Sequence, residues 1–585
     1  MRELAAGEAV LAESVVRGSP ASPDTTADQA ARETIESVVV AVVLAFLFRA
    51  FVAEAFVIPT GSMAPTLQGR HMDVVCPQCG HQYRTGASVE NDEQGPPRGE
   101  VTRTRCPLCR YAMTLDKEHQ ANHKSFNGDR ILVSKFAHQL REPQRWDVIV
   151  FKYPGEAKIN YIKRLIGLPG ETIRIRHGDI HTLDPDTAEQ PEGRQVFRIA
   201  RKPPNKVVAM LQLVDDTYYV PQHVRDGLWP VRWSAIQVAN SAAWRRSEDH
   251  RNFGIEAGST RAWLRYHHLV PRADDWVRIA KRLPYQRAGY RGQLVTDYYA
   301  YNDSFHSESG RECWVGDLAV EGDVEVESSG GEVTLELVEG GTHFRCNIDV
   351  STGIATLNID GGQRASKPSF GDPSPQTATT EVHGAGNYSL RFANVDDQLF
   401  LWVNNQVVEF DKGGKYEPSP NVVPRWSTND PGDLAPVALG ARNITLQVNR
   451  LRVLRDVYYR AVEPVDPYWN SEYDKSAVGY EFDVAALMAH PQDWKTTPLF
   501  NARRSVTFHL DADQFFPLGD NSPESRDARV WSERQYATNT LSPPPYVSRE
   551  LLIGKALLIY WPHSWRLGSD WLPIVPNFQR IGAIR

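Results

Sequence analysis

The chain has 585 residues, too many for one hydrophobic core, so several domains are expected. A content of 41% hydrophobic and 23% charged residues is that of folded protein. Lysine plus arginine number 65 against 72 acidic residues, a net charge of -7, and no basic stripe appears, so nothing electrostatic argues for nucleic acid. Abundant Trp, Tyr, Gly and Pro with few Met point to strands and loops.

Residues 1–32 are rich in Ala, Ser, Glu and Asp without periodicity and read as a flexible tail. The next segment, 33–58, is strongly apolar from Ile35 to Ile58 apart from Glu36, Arg49 and Glu54. Its uninterrupted core, Val38 to Phe48, is shorter than the roughly 20 residues a spanning helix needs. Extended through Arg49, whose long stem can snorkel to the interface, it reads as an uncleaved transmembrane helix. The rival reading is a cleaved leader, with Val52-Ala53-Glu54-Ala55 as the cut. The tail is acidic, so the positive-inside rule gives no orientation.

The segment 59–70 opens with Pro59-Thr60-Gly61-Ser62-Met63-Ala64-Pro65, where prolines fix the backbone and glycine frees it. That composition suits a rigid turn presenting Ser62. The segment 71–127 carries Cys76-Pro77-Gln78-Cys79-Gly80 and Cys106-Pro107-Leu108-Cys109. Two such pairs are the signature of a four-thiolate zinc ribbon, a structural site because sulfur fills all four positions. A pair of disulfides is the alternative in an oxidising compartment.

Segment 128–204 alternates as antiparallel strands at Arg130–Val133, Asp147–Phe151 and Thr172–Arg176. Lys163 stands between them among Ile162, Leu165 and Ile166, just before the Gly167-Leu168-Pro169-Gly170 turn. Segment 205–294 is rich in Trp and Arg with mixed periodicity and carries no functional signal. From 295 to 465 short alternating strands recur at the spacing of a β-sandwich. Its Leu399-Phe400-Leu401-Trp402-Val403-Asn404-Asn405 run looks like the concanavalin and laminin-G jelly rolls, which implies a glycan or protein ligand; a purely structural insert is the other reading. Cys313 and Cys346 in this part are a possible disulfide. Segment 466–585 holds the strand at Ser505–Leu510, the polar run Gly519-Asp520-Asn521-Ser522-Pro523-Glu524-Ser525-Arg526-Asp527-Ala528-Arg529, and the apolar run Leu551–Tyr560, too short to span a membrane.

The turn at Ser62, the stretches Gly128–Phe136 and Asp147–Pro154, the Tyr161-Ile162-Lys163-Arg164 context, the Gly519–Arg529 run and Gly554-Lys555-Ala556 come in the order found in type I signal peptidases, which this chain resembles over about a third of its length. The resemblance implies a mainly antiparallel β catalytic domain in three parts, interrupted by the cysteine segment and the sandwich. It implies that Ser62 is the nucleophile and Lys163 the general base, with the oxyanion hole made by the Ser62 N–H and the Thr60 hydroxyl. A lysine near its ordinary pKa of about 10.4 would cost roughly 4–5 kcal/mol to keep neutral at pH 7, which burial can supply. By the same resemblance Ser525 hydrogen-bonds the lysine, Asp527 and Arg529 form an ion pair, and Gly519, Asp520 and Asn521 shape the loop. Phe56, Ile58, Leu67 and Ile162 line the substrate pocket.

The implied substrates are exported precursors with small residues at the first and third positions before the cut. The implied setting is the cell membrane, with the bilayer as partner and everything after Ile58 on its outer face. No cofactor is implied for catalysis. The related self-cleaving repressor-type proteases share the dyad but not the apolar segment or the lysine's context. A third reading keeps the membrane anchor and the sandwich as a glycan- or protein-binding unit beside a vestigial peptidase.

Overall fold

The computed structural model describes residues 23–47, 52–91, 99–236, 243–285, 292–302, 312–362, 367–372, 374–462, 472–473, 484–494, 496–534, 544–564 and 577–585. By contact density it divides into Met1–Glu54 and Ala55–Arg585. The first unit contains the helix Pro23–Leu47, whose Ile35, Val38, Val39, Val40, Val42, Val43 and Leu44 are all exposed.

The single helix expected over 33–58 is not what forms. The helix begins ten residues earlier, and Ala53–Val57 is a β-strand. This five-residue piece pairs beside Arg130–Ser134 at the edge of a sheet, and that pairing outweighs any continuation of the helix. Among the described residues no helix is long and apolar enough to cross a membrane, the polar Asp24–Glu36 half lowering the hydropathy of the one above. Residues 1–22 of the expected tail and Arg49 lie outside the described residues.

The larger unit is built of antiparallel sheets, as the alternating pattern predicts. An eight-stranded sheet runs Ala53–Val57, Arg130–Ser134, Leu552–Trp561, Val148–Tyr153, Glu156–Gly167, Gln514–Leu518 and Val547–Ser548, with Gly582–Ala583 added to Leu552–Trp561. Strands from three distant stretches of sequence therefore meet in one layer. A four-stranded sheet, Phe197–Ile199, Asp179–Leu183, Thr172–Arg176 and Ser505–His509, shares its core through Ile149, Phe151, Leu165, Ile173, Phe508 and Phe516.

Two further sheets, of eight and seven strands, pack face to face over a core that includes Val320, Leu335, Phe392 and Leu439. The boundary expected at 294 does not separate two bodies. Trp233–Ile236 and Ala262–Tyr266 extend one sheet of the sandwich, and Gln212–Asp216 and Phe253–Glu256 extend the other. Two small hairpins, His71–Val75 with Gln82–Gly86 and Arg103–Arg105 with Ala112–Thr114, carry the four clustered cysteines. Cys313 and Cys346 are both thiols, buried in separate apolar clusters, so they do not bridge to each other.

Candidate active site

Ser62 sits in the middle of a one-turn 3-10 helix, Gly61–Met63, directly after the edge strand. The backbone on either side is tied down: Ile58 N–H donates to Asp129 O at 2.9 Å and Arg70 N–H to Pro59 O at 3.1 Å. Glycine is required at 61, because a Cβ there would lie 2.1 Å from the Tyr301 ring.

Lys163 lies on the strand Glu156–Gly167, opposite Ile149 in the antiparallel register. Its side chain is 4% exposed, and its Nζ stands 2.7 Å from Ser62 Oγ and 3.0 Å from the Ile162 carbonyl oxygen. Burial lowers its pKa to about 8, against the pull of Asp527 and Asp520, which favour the charged form. The amine is therefore within reach of neutrality near physiological pH and beside a hydroxyl it can deprotonate.

Successive residues on a strand point to opposite faces, so Arg164 points away from the lysine. There it makes a bidentate pair with Asp520, Nε to Oδ1 and Nη2 to Oδ2 both at 2.7 Å, with neither side chain exposed. Thr66 Oγ1 donates to the same carboxylate at 2.5 Å, tying the Ser62 segment to the strand that carries Lys163. Asp527 and Arg529 form a second buried pair, at 2.8 and 2.7 Å, and Asp527 Oδ2 also accepts from the Gly519 N–H at 3.0 Å. A Cβ at 519 would lie 2.1 Å from Ser525 Oγ and 2.4 Å from the Ser62 carbonyl oxygen, so the loop closes over the turn only with glycine there.

The hydrogen bond implied between Ser525 and Lys163 is not formed. The Ser525 hydroxyl is buried against Gly519 without a hydrogen-bond partner, and the lysine's bonds go to Ser62 and Ile162. Thr60 is exposed and its hydroxyl makes no capping bond to the turn. Ile58, Leu67 and Ile162 are buried in one apolar cluster with the half-buried Phe56 packed on it, so Phe56 presents most of the surface of the four.

Sequence reasoning missed the contribution of the sandwich part of the chain. Asn521 donates from its backbone to the Ser62 carbonyl at 3.1 Å and from its amide to the Gly61 carbonyl at 3.0 Å. It also exchanges two bonds with Asn302, at 2.7 and 2.8 Å. Arg460 pairs with Asp297, and its carbonyl oxygen accepts from Arg529 at 2.8 Å. These partners are hundreds of residues from Ser62 and carry no local motif.

Cys76, Cys79, Cys106 and Cys109 bring their sulfurs within 4.8 Å of one another, with Cys76–Cys109 at 3.5 Å and Cys79–Cys106 at 3.6 Å. A tetrahedral zinc with bonds of about 2.3 Å sets its sulfurs about 3.8 Å apart, so the donor set fits such an ion. All four are thiols rather than disulfides.

The profile of the family described as "Signal peptidase, peptidase S26" matches residues 31–88 and 112–223, which include Ser62 and Lys163. The signal peptidase I of Pseudomonas aeruginosa is 52% identical over 59 residues, 8% of this chain and 21% of that protein. That of Rickettsia bellii is 26% identical over 208 residues, 32% of this chain and 59% of that protein. The chain thus spans between a fifth and three fifths of these relatives' length. Among solved structures, carbohydrate binding module CBM66 from Bacillus subtilis aligns with 39% of this chain and 93% of its own at 8% identity, with a TM-score of 0.20, too slight a likeness to bear on the fold.

Proposed function

We propose that this protein is a membrane-anchored serine endopeptidase of type I signal peptidase kind that removes leader peptides from exported precursors, a reading supported by the match of residues 31–88 and 112–223 to the signal peptidase family. The observation that carries the reading is the 2.7 Å contact between Lys163 Nζ and Ser62 Oγ inside a buried site.

Neutral Lys163 takes the Ser62 proton as Oγ attacks the scissile carbonyl. The charge on the resulting oxyanion is met by the Ser62 N–H and the Thr60 hydroxyl, each such donor contributing about 3–4 kcal/mol to the transition state. The lysinium then protonates the leaving amine, and water, deprotonated by the same lysine, releases the acyl-enzyme. Arg164 with Asp520 and Asp527 with Arg529 hold the loops that fix the two reacting groups. The precursor lies extended along the Ala53–Val57 edge, where main-chain pairing gives affinity and side-chain pockets give specificity. Phe56, with Ile58, Leu67 and Ile162 behind it, is an apolar wall suited to the small residues before the cut. The exposed apolar residues of Pro23–Leu47 seat the chain in a bilayer, beside substrates that are themselves tethered there, with the catalytic part on the outer face.

The four cysteines hold a structural zinc, which cross-links the two hairpins; metal analysis giving one zinc per chain is expected, and disulfides without metal would exclude it. The central test is cleavage of a synthetic leader peptide across a pH range. Ser62→Ala and Lys163→Ala are each expected to lose at least about a thousandfold in rate with the fold intact. In the native chain the base is active when neutral, so the rate rises about tenfold per pH unit up to about 8 and then levels. A Lys163→Ala variant with near-native turnover would remove the proposal.

A further inference from the structure

A cavity of about 790 Å³, of a size that suits a small-molecule ligand, opens between the four-cysteine segment and residues 222–298, and neither Ser62 nor Lys163 lines it. Its wall is basic in a chain whose net charge is -7: Arg103, Arg105, Arg110, Arg272 and Arg282 all line it. Among the described residues two carboxylates share that wall, Asp226 and Glu312, and the first of these is 3.4 Å from Arg282.

Arg110 is the informative member. Each Cys-x-x-Cys turn is followed by a residue with left-handed backbone, Gly80 at φ 76° and Arg110 at φ 61°. Glycine takes that conformation freely and arginine does not, so the metal-binding turn gains nothing from an arginine there. What the arginine gains is the cavity, where its guanidinium lies 3.3 Å from the centre of the Tyr298 ring.

The lining also holds polar atoms without partners. His223 is 2% exposed and neither ring nitrogen has a hydrogen-bond partner; nor has the indole N–H of Trp276, whose ring meets His223 edge-on at 4.6 Å. Buried polar groups are ordinarily bonded, so such a pair on a cavity wall marks a place for a ligand. The amide side chains of Gln78 and Gln222 add donors and acceptors beside them.

We propose that this cavity binds an anionic saccharide, a sugar ring carrying a phosphate or carboxylate group. The guanidinium forks pair with the oxyanion, His223, Trp276 and the two glutamines meet ring hydroxyls, and the aromatic faces cover the ring's apolar side. The site stands independently of the peptidase reading.

The test is calorimetric titration of the full-length protein in detergent with glucose 6-phosphate, glucuronate and glucose. At least one anion is expected to bind, with glucose at least tenfold weaker, and the preferred anion tells phosphate from carboxylate. Arg110→Gly, which suits the left-handed backbone, is expected to weaken that binding at least tenfold, and the exposed Arg282→Gln several-fold. Arg246→Gln, which does not line the cavity, leaves it unchanged. Failure of both anions to bind below about 10 mM, equal binding of glucose, or native affinity in Arg110→Gly overturns the assignment.

Discussion

The loops around Ser62 and Lys163 are held by buried ion pairs, Arg164 with Asp520, Arg529 with Asp527 and Arg460 with Asp297, whereas the space between the two sandwich sheets is filled by apolar side chains such as Val320, Leu335, Phe392 and Leu439. The two kinds of closure do different work. Apolar burial is non-directional and tolerant of small shifts, so it sets stability. Buried charge pairs with several fixed bonds are poor sources of net stability, yet they penalise every other arrangement of the loops that carry them. In the proposed reaction the Ser62 turn needs the second property, since a misplacement of about 1 Å can cost about a hundredfold in rate.

Asp527→Asn is the sharpest way to break that contrast. It leaves Arg529 buried and uncompensated, for an expected loss of about 3–5 kcal/mol in denaturant titration. It also removes the foremost charge raising the Lys163 pKa, so the inflection of the pH–rate profile in the folded fraction is expected to move below about 8. Leu335→Ala in the sandwich should cost a comparable 2–5 kcal/mol, about as much as other Leu truncations in cores, with the inflection unmoved. A shift in both variants would erase the distinction.

A smaller effect is expected from Asn302→Ala, which removes the partner of Asn521 and loosens the turn. A fall in kcat of about tenfold with KM little changed would be the mark of a positioning role. Native kcat would mean that Asn521 alone holds Gly61 and Ser62. Ser525→Ala should do least, less than about twofold in rate, because the hydroxyl it removes makes no bond. A large loss would mean that Ser525 reaches the lysine in the course of reaction.

How much of this was legible follows from the same contrast. Lys163 among isoleucines and leucines, Ser62 between prolines and the Gly519–Arg529 run are local patterns, and the chain writes them out. The sandwich strands also announce themselves by alternation. Asn302, Asp297 and Arg460 do not, because a side chain that acts across hundreds of residues leaves no period or spacing behind. The strand Ala53–Val57 was hidden for another reason: five residues at the end of an apolar stretch look like more helix until a partner strand pairs with them. The strands within 212–266 were obscured by tryptophans and arginines that break the alternation while still pairing with the sandwich sheets.

The reciprocal amide bonds between Asn302 and Asn521 bear on how the molecule can be shortened. A gene trimmed to residues 31–88 and 112–223, the part that matches the signal peptidase family, would discard one of the staples holding the Ser62 turn. Any minimised version for inhibitor screening has to keep Asn302 and the stretch 294–302 that carries it.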